Sequence, residues 1–587
     1  MNTDQQSRIH ARHSHLVTLA LVAVVLLMPG CGKKAPDLPN VILVSIDTLR
    51  PDHLGCYGYE RSTSPTIDSL ATRGVLFLNA EAQSPWTLPS HVTLFSSTFP
   101  FTHGVVDDNS RIPADLPMMA EILKGHGYRT AGVVSSFYVG RMFGFERGFD
   151  YFEDFASDRY QQVFSGSKIM AETVVDRGIQ WMRNSGRPFF LFLHFYDAHV
   201  NYIVPEPYRS LFEKSYAGGE ILYNSYEHYQ TQPLTAPQRR HVLAQYDAAI
   251  AYVDAQIARV LDAIRDSGIA DNTILVITSD HGEEFFERGS WGHAHTLYRE
   301  VLAVPLIVVD PRLPSSGAEI REAARVIDIM PTVLEGLGLP AVEGTQGRSL
   351  WPFVSREPAG ERDPLLFSES SRYNLNLVSL SQGTVKAIAD FKNHARELFD
   401  LSTDPQEELN IAPEDTSLAR ALVDEMMGIS AHLIPGRLVL RWVAEPGDHT
   451  YVAKIRSPGT FVEVDYAGSR EAVVDIAPDR GSLRMTSAQS GELRLAVVPV
   501  DASVILDLAI DGGPPAGKLV VGGSALRPDE MPLTFPGVVR SPDLLKEPPD
   551  SGPGFYLWRD PGDRLAAEPV DLSDEAKEHL RSLGYLH

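Results

Sequence analysis

Two continuous apolar runs, Val41-Ile42-Leu43-Val44-Ser45-Ile46 and Thr273-Ile274-Leu275-Val276-Ile277-Thr278, constrain the fold more than any other feature of this chain. Both are rich in β-branched residues and neither alternates with polar ones. Each therefore predicts a strand buried on both faces, as in a parallel sheet. Both end in acid: Asp47 follows the first, Asp280-His281 the second. Residues 75–78, 130–134, 188–195 and 304–309 read as further strands. Helical spacing covers 65–73, 117–126, 166–184, 236–267 and 328–336, with Gly74 and Gly127 as stop signals. Alternation of this kind predicts an α/β fold, a mostly parallel sheet flanked by helices, with ligands bound past the strand C-termini.

The chain has 587 residues, enough for more than one domain, and its 43% hydrophobic and 22% charged content is that of a globular protein. A formal charge of −24 argues against nucleic acid as a partner, and an anionic substrate would need locally positive groups. Cys31 and Cys56 are the only cysteines, which excludes a disulfide framework. Residues 1–30 read as a signal peptide: Arg8 and Arg12 precede an apolar run over 16–28 that is short for a membrane span. Met28-Pro29-Gly30-Cys31 resembles a bacterial lipobox, which predicts lipidation at Cys31 and an envelope lipoprotein, periplasmic or outer-membrane anchored; an uncleaved anchor is the alternative. A tether at 31–39 leads to a catalytic domain over 40–430. Short alternating runs over 437–525 predict an antiparallel, sandwich-like β domain. Residues 526–570 are Pro-rich and loop-like, and a last helix over 573–583 completes the 526–587 segment.

Three groups carry chemistry. Thr87, in Trp86-Thr87-Leu88-Pro89-Ser90-His91, is expected to cap a helix, where free N–H groups suit an attacking oxygen and an anion. Taken alone it is an ordinary N-cap. Asp47, Asp280 and His281 at two strand ends make an oxygen-rich site for one divalent cation. His194 and His199 follow one strand, and His293 and His295 follow Trp291-Gly292; single histidines are usually structural, whereas four near strand ends point to proton transfer.

From 40 to about 412 the chain resembles the sulfatase family of the alkaline-phosphatase-like superfamily. The markers are Val44-Ser45-Ile46-Asp47-Thr48-Leu49-Arg50-Pro51-Asp52-His53, Leu88-Pro89-Ser90-His91, His103-Gly104-Val105, Gly127-Tyr128-Arg129, Asp197-Ala198-His199, Ser279-Asp280-His281-Gly282-Glu283 and Glu397-Leu398-Phe399-Asp400-Leu401, in the family's order. The resemblance implies a metal held by Asp47, Asp280, His281 and Thr87, usually calcium, with magnesium, manganese or zinc as alternatives. It implies Thr87 as nucleophile, and His199 and His295 as acid and substrate contacts; His91 joins them as a catalytic candidate. It also exposes departures. Thr87 stands where sulfatases carry the Cys or Ser that becomes formylglycine, His91 where an Arg follows Pro-Ser, and Thr48 where a second metal-binding Asp is usual. Two sulfate-contacting lysines fall on Ser135 and Ala294. The expected function is a metal-dependent hydrolase of sulfate or phosphate esters. The alternatives are a phosphodiesterase or phosphoethanolamine-type phosphotransferase, and a degenerate surface binding lipoprotein.

Overall fold

The computed structural model describes residues 38–155, 170–314 and 317–357, most of 366–413 and 437–513, and shorter stretches as far as Pro569. The signal segment with Cys31 and the helix expected at 573–583 lie outside the described residues.

The strands in chain order are β1 (Asn40–Ile46), β2 (Val75–Glu81), β3 (Ser110–Arg111), β4 (Arg129–Val134), β5 (Tyr151–Glu153), β6 (Phe189–Phe195), β7 (Thr273–Thr278), β8 (Glu284–Phe285), β9 (Trp291–Gly292), β10 (Ala303–Val309), β11 (Ala318–Ile320) and β12 (Ala324–Arg325). A nine-stranded sheet runs β11-β2-β10-β7-β1-β6-β4-β5, with β12 beside β2. β1 pairs parallel with β6 and β7, and β4 parallel with β5 and β6. Only β10 is reversed, antiparallel to both β7 and β2. The sheet is thus mostly parallel, as expected.

Its two faces explain the uninterrupted apolar runs. Val41 and Leu43 join a core with Val92, Phe95 and Met330. Ile42, Val44 and Ile46 point the other way, into a core with Ile67, Val174 and Ile250. Each such side chain is worth roughly 2 kcal/mol when buried, so neither face of β1 tolerates polar alternation. Among the described residues no helix is long and apolar enough to cross a membrane.

Beyond this sheet, β13 (Leu366–Ser370), β14 (Leu377–Gln382), β15 (Val385–Asp390) and β16 (Ala395–Asp400) form an antiparallel four-stranded sheet that the sequence did not announce. A six-stranded and a five-stranded sheet follow. They share one core of Leu440, Trp442, Ile455, Leu493, Leu506 and Phe555. Their pairings are antiparallel apart from Lys518–Val521 against Gly554–Asp560, which is parallel.

That last strand corrects the loop-like reading of 526–570. Leu533–Phe535 and Gly554–Asp560 are both strands there, and the latter lies inside the six-stranded sheet, beside Arg437–Val443. Phe555-Tyr556-Leu557-Trp558 is too short a run to outweigh the flanking prolines and glycines locally. Pairing on both edges makes it a strand.

Candidate active site

Parallel pairing sets Ser45 opposite both Thr278 and His194. Asp47 and Asp280 each lie two residues beyond a paired position, so they leave the sheet side by side. Thr48 then turns the chain with φ 58°, a conformation that costs a β-branched residue about 1–3 kcal/mol. Three contacts hold it: its N–H donates to Asp280 Oδ1 (3.2 Å), and its hydroxyl lies 2.7 Å from the carbonyls of Asp47 and Ala198. The Thr48 hydroxyl is spent on backbone rather than offered as a ligand.

Thr87 is not the cap of its helix. Trp86 occupies the cap position with extended backbone, and the helix runs Thr87–Ser96 with Pro89 in its first turn. Thr87 Oγ1 faces the strand ends instead, 3.5 Å from Asp47 Oδ2 and 3.4 Å from His281 Nε2. Ser90 Oγ donates to the Asp280 carbonyl at 2.6 Å and locks the helix onto the end of β7. One turn on, His91 Nδ1 donates to the Thr87 carbonyl (2.9 Å) while its Nε2 accepts from Ser45 Oγ (3.0 Å). Burial drives the His91 pKa down to about 3 against the pull of Asp280, so this ring is neutral. His91 packs beneath the carboxylates, its ring 4.9 Å from that of His194.

One carboxylate oxygen each from Asp47 and Asp280 and one ring nitrogen of His281 lie within 4.8 Å of one another, all buried. His281 Nδ1 donates to the Gly282 carbonyl (2.9 Å), which leaves Nε2 as the nitrogen with a lone pair toward the acids. Asp280 Oδ1 accepts from two backbone N–H groups, but Oδ2 is buried with no hydrogen-bond partner. Two buried carboxylates with an orphaned oxygen and a ligand-ready imidazole fit a divalent cation, because such charge is not stable in the interior uncompensated.

Three imidazoles continue outward from this cluster: His281 to His293 at 4.6 Å between ring centroids, and His293 to His199 at 4.9 Å. His199 Nδ1 donates to the Val200 carbonyl (2.8 Å), and its ring stacks on Tyr196. His293 Nδ1 donates to Glu283 Oε1 (2.7 Å). Burial and then the positive charge of Arg372 push its pKa down to about 3, with Asp280 opposing.

His295, expected beside the substrate, has its ring flat on Tyr226 at 4.1 Å and 13°. Ala294, between the two histidines, has φ 72° and splits their directions. The sequence carried both histidines and did not rank them. Arg372 was missed altogether, since it stands outside every motif. Ser135 donates to the His194 carbonyl (2.9 Å), so the position of one expected lysine holds a buried hydroxyl.

The sequence profile described as Sulfatase matches residues 39–339. The chain belongs to the sulfatase family. A second profile, the C-terminal region of N-sulphoglucosamine sulphohydrolase, matches 287–431. Among curated sulfatases, the chain is 25% identical to a sulfatase of Formosa agariphila over 65% of this chain and 84% of that protein. It is 26% identical to arylsulfatase K of Bos taurus over 66% and 81%. Among solved structures it matches the phosphonate monoester hydrolase of Agrobacterium radiobacter (TM-score 0.57, 21% identity, 67% of this chain and 96% of that one). A 2-O GAG sulfatase matches with TM-score 0.56, 21% identity, and 67% and 93% coverage. These structural likenesses speak to the fold. By kinship the protein is a sulfuric-ester hydrolase, and its Asp47/Asp280/His281 group suits the metal that sulfatases require.

Proposed function

We propose that this sulfatase cleaves its ester by attack of the unmodified Thr87 hydroxyl. The observation that carries the reading is the position of Thr87 Oγ1, 3.5 Å from Asp47 Oδ2 and 3.4 Å from His281 Nε2 at a helix N-terminus. A divalent cation held by Asp47, Asp280 and His281, calcium by family likeness, would lower the hydroxyl pKa and neutralise ester oxygens. The chain's own groups do the rest. The free N–H groups of the first helical turn favour an anion at Thr87. Thr87 Oγ1 gives up its proton along its contact to Asp47 Oδ2 as it bonds to sulfur or phosphorus and the bond to the leaving oxygen breaks, and a protonated His199 delivers a proton to that oxygen. Water then opens the threonine ester and regenerates the hydroxyl.

A second reading, toward phosphate, phosphodiester or phosphonate esters, is favoured by the nucleophile itself. A sulfated threonine has no adjacent hydroxyl through which to expel sulfate, whereas a phosphorylated one is opened by water or an acceptor alcohol. The deciding experiment quenches the protein with aryl sulfate, phosphate monoester, phosphodiester and phosphonate substrates and maps the adduct by peptide mass. An adduct on Thr87 is expected. Sulfate on Thr87 with multiple turnovers would overturn the phosphoryl reading, and full turnover by Thr87→Ala would overturn the nucleophile. The lipoprotein placement is part of the same proposal: Cys31→Ala should release the protein from membranes, and a mature N-terminus downstream of Cys31 would contradict it.

A further inference from the structure

The Thr87 loop and the His293 loop are tied together by the strand that leads to Arg372. In β13, Ser368 Oγ donates to the Ala82 carbonyl (2.6 Å) and the Glu369 N–H to the Gln83 carbonyl (3.1 Å). Ser370 Oγ then donates to the Ala294 carbonyl (3.0 Å), and the Ala294 N–H donates to the Pro85 carbonyl (3.1 Å). Two residues on, the guanidinium carbon of Arg372 lies 4.1 Å from the ring centroid of Trp86, the residue immediately before Thr87. Tyr138 meets the same indole edge-on at 5.6 Å. Arg372 Nη2 donates to Asp108 Oδ1 and to the Tyr138 hydroxyl, both at 2.9 Å, and Tyr138 itself donates to Asp108 at 2.6 Å. Arg372 is 4% exposed, Trp86 1% and Tyr138 2%.

A clamp for Trp86 needs no charge. An apolar side chain would hold an indole without the several kcal/mol that burying an ion costs. The charge makes sense through what lies beside it. A substrate oxyanion at Thr87 has no lysine at Ser135, and the chain as a whole repels anions with its formal charge of −24.

We propose that Arg372 is a positioning residue of the oxyanion site, holding Trp86 beside Thr87 and lending a fixed positive charge that favours doubly over singly charged ligands. Asp108 screens that charge in part and so sets its strength. The inference rests on the reading of Thr87 as the point where the ester's oxyanion binds.

The test is calorimetric titration of the full chain, in calcium, with inorganic sulfate and with singly charged methyl sulfate. Arg372→Gln should weaken sulfate binding on the order of tenfold or more and methyl sulfate binding less, while Arg372→Lys keeps most of the sulfate affinity. Asp108→Asn unmasks the guanidinium and should tighten sulfate binding a few-fold, a direction that a purely structural contact would not produce. It decides the matter even if Arg372→Gln fails to fold. Unchanged sulfate affinity in Arg372→Gln, equal losses for both ligands, or weakened binding in Asp108→Asn would overturn the role of Arg372 and leave the Thr87 site standing. A wild-type chain that binds neither anion would overturn the Thr87 reading itself.

Discussion

Asp247 and Asp280 are both fully buried, and they keep different company. Asp247 Oδ1 accepts from His53 Nδ1 at 2.7 Å, and its Oδ2 from the Tyr59 hydroxyl at 2.8 Å and Arg61 at 2.6 Å. Its charge is answered from within the chain. Asp280 answers one oxygen with backbone N–H groups and turns the other toward two imidazoles, His281 Nε2 at 3.3 Å and His91 Nδ1 at 3.4 Å, one of them held neutral by burial. The contrast separates a buried acid that supports the fold from one arranged to receive a cation.

The largest effect should fall on the Asp280 side. Thr87→Ala should lower turnover by several powers of ten, as loss of a nucleophile does, with thermal stability nearly unchanged. Steady-state rates beside melting curves check both halves, and a loss below tenfold would remove Thr87 from the nucleophile's role.

The two acids can then be set directly against each other. Asp280→Asn should abolish stoichiometric metal retention after dialysis and leave the metal-free protein as stable or more so, because one buried like charge is gone. Asp247→Ala should leave metal content intact and cost about 3 kcal/mol, since it strands His53 and Tyr59 without their acceptor. Metal analysis by emission spectroscopy and denaturant unfolding read the two outcomes. Exchanged phenotypes would dissolve the distinction.

A smaller effect separates the neighbouring histidines. His293→Ala should lower kcat on the order of a hundredfold, whereas His295→Ala, which loses a stack on Tyr226, should cost less than tenfold. Equal losses would put both rings in the reaction.

The smallest concerns pH. Burial, against lowering bonds from the N–H groups of Ser290 and Arg288, pushes the Glu284 pKa up to about 7 from an unfolded value of 4.5. Its contribution as a neutral acid is therefore complete below pH 4.5 and lost as pH rises through 7. Glu284→Gln should remove a pH-dependent loss of at most roughly 3 kcal/mol between those limits, read from denaturant curves across pH. Parallel wild-type and variant profiles would show Glu284 ionised throughout.

What the sequence determined by itself is whatever rests on local pattern. β1 and β7 each read as strands because nearly every residue between their ends is apolar on both faces, and Asp47 and Asp280-His281 read as site residues because they follow those runs at the chain's own turn. Burial on two faces leaves a continuous signature within six or seven residues. Tertiary structure decided what depends on a partner far along the chain. Thr87 and not Trp86 faces the acids because Ser90 fastens their helix to the end of β7, 190 residues away. His293 rather than His295 meets His281 because Ala294 is held in a left-handed turn, its N–H donating to the Pro85 carbonyl and its own carbonyl accepting from Ser370 Oγ. Gly554–Asp560 is a strand because Arg437–Val443 and Lys518–Val521 pair with it, and Arg372 meets Trp86 because β13 is hydrogen-bonded beside Ala82 and Gln83. Backbone pairing and left-handed turns carry no side-chain periodicity, so these four assignments exist only once the chain has folded.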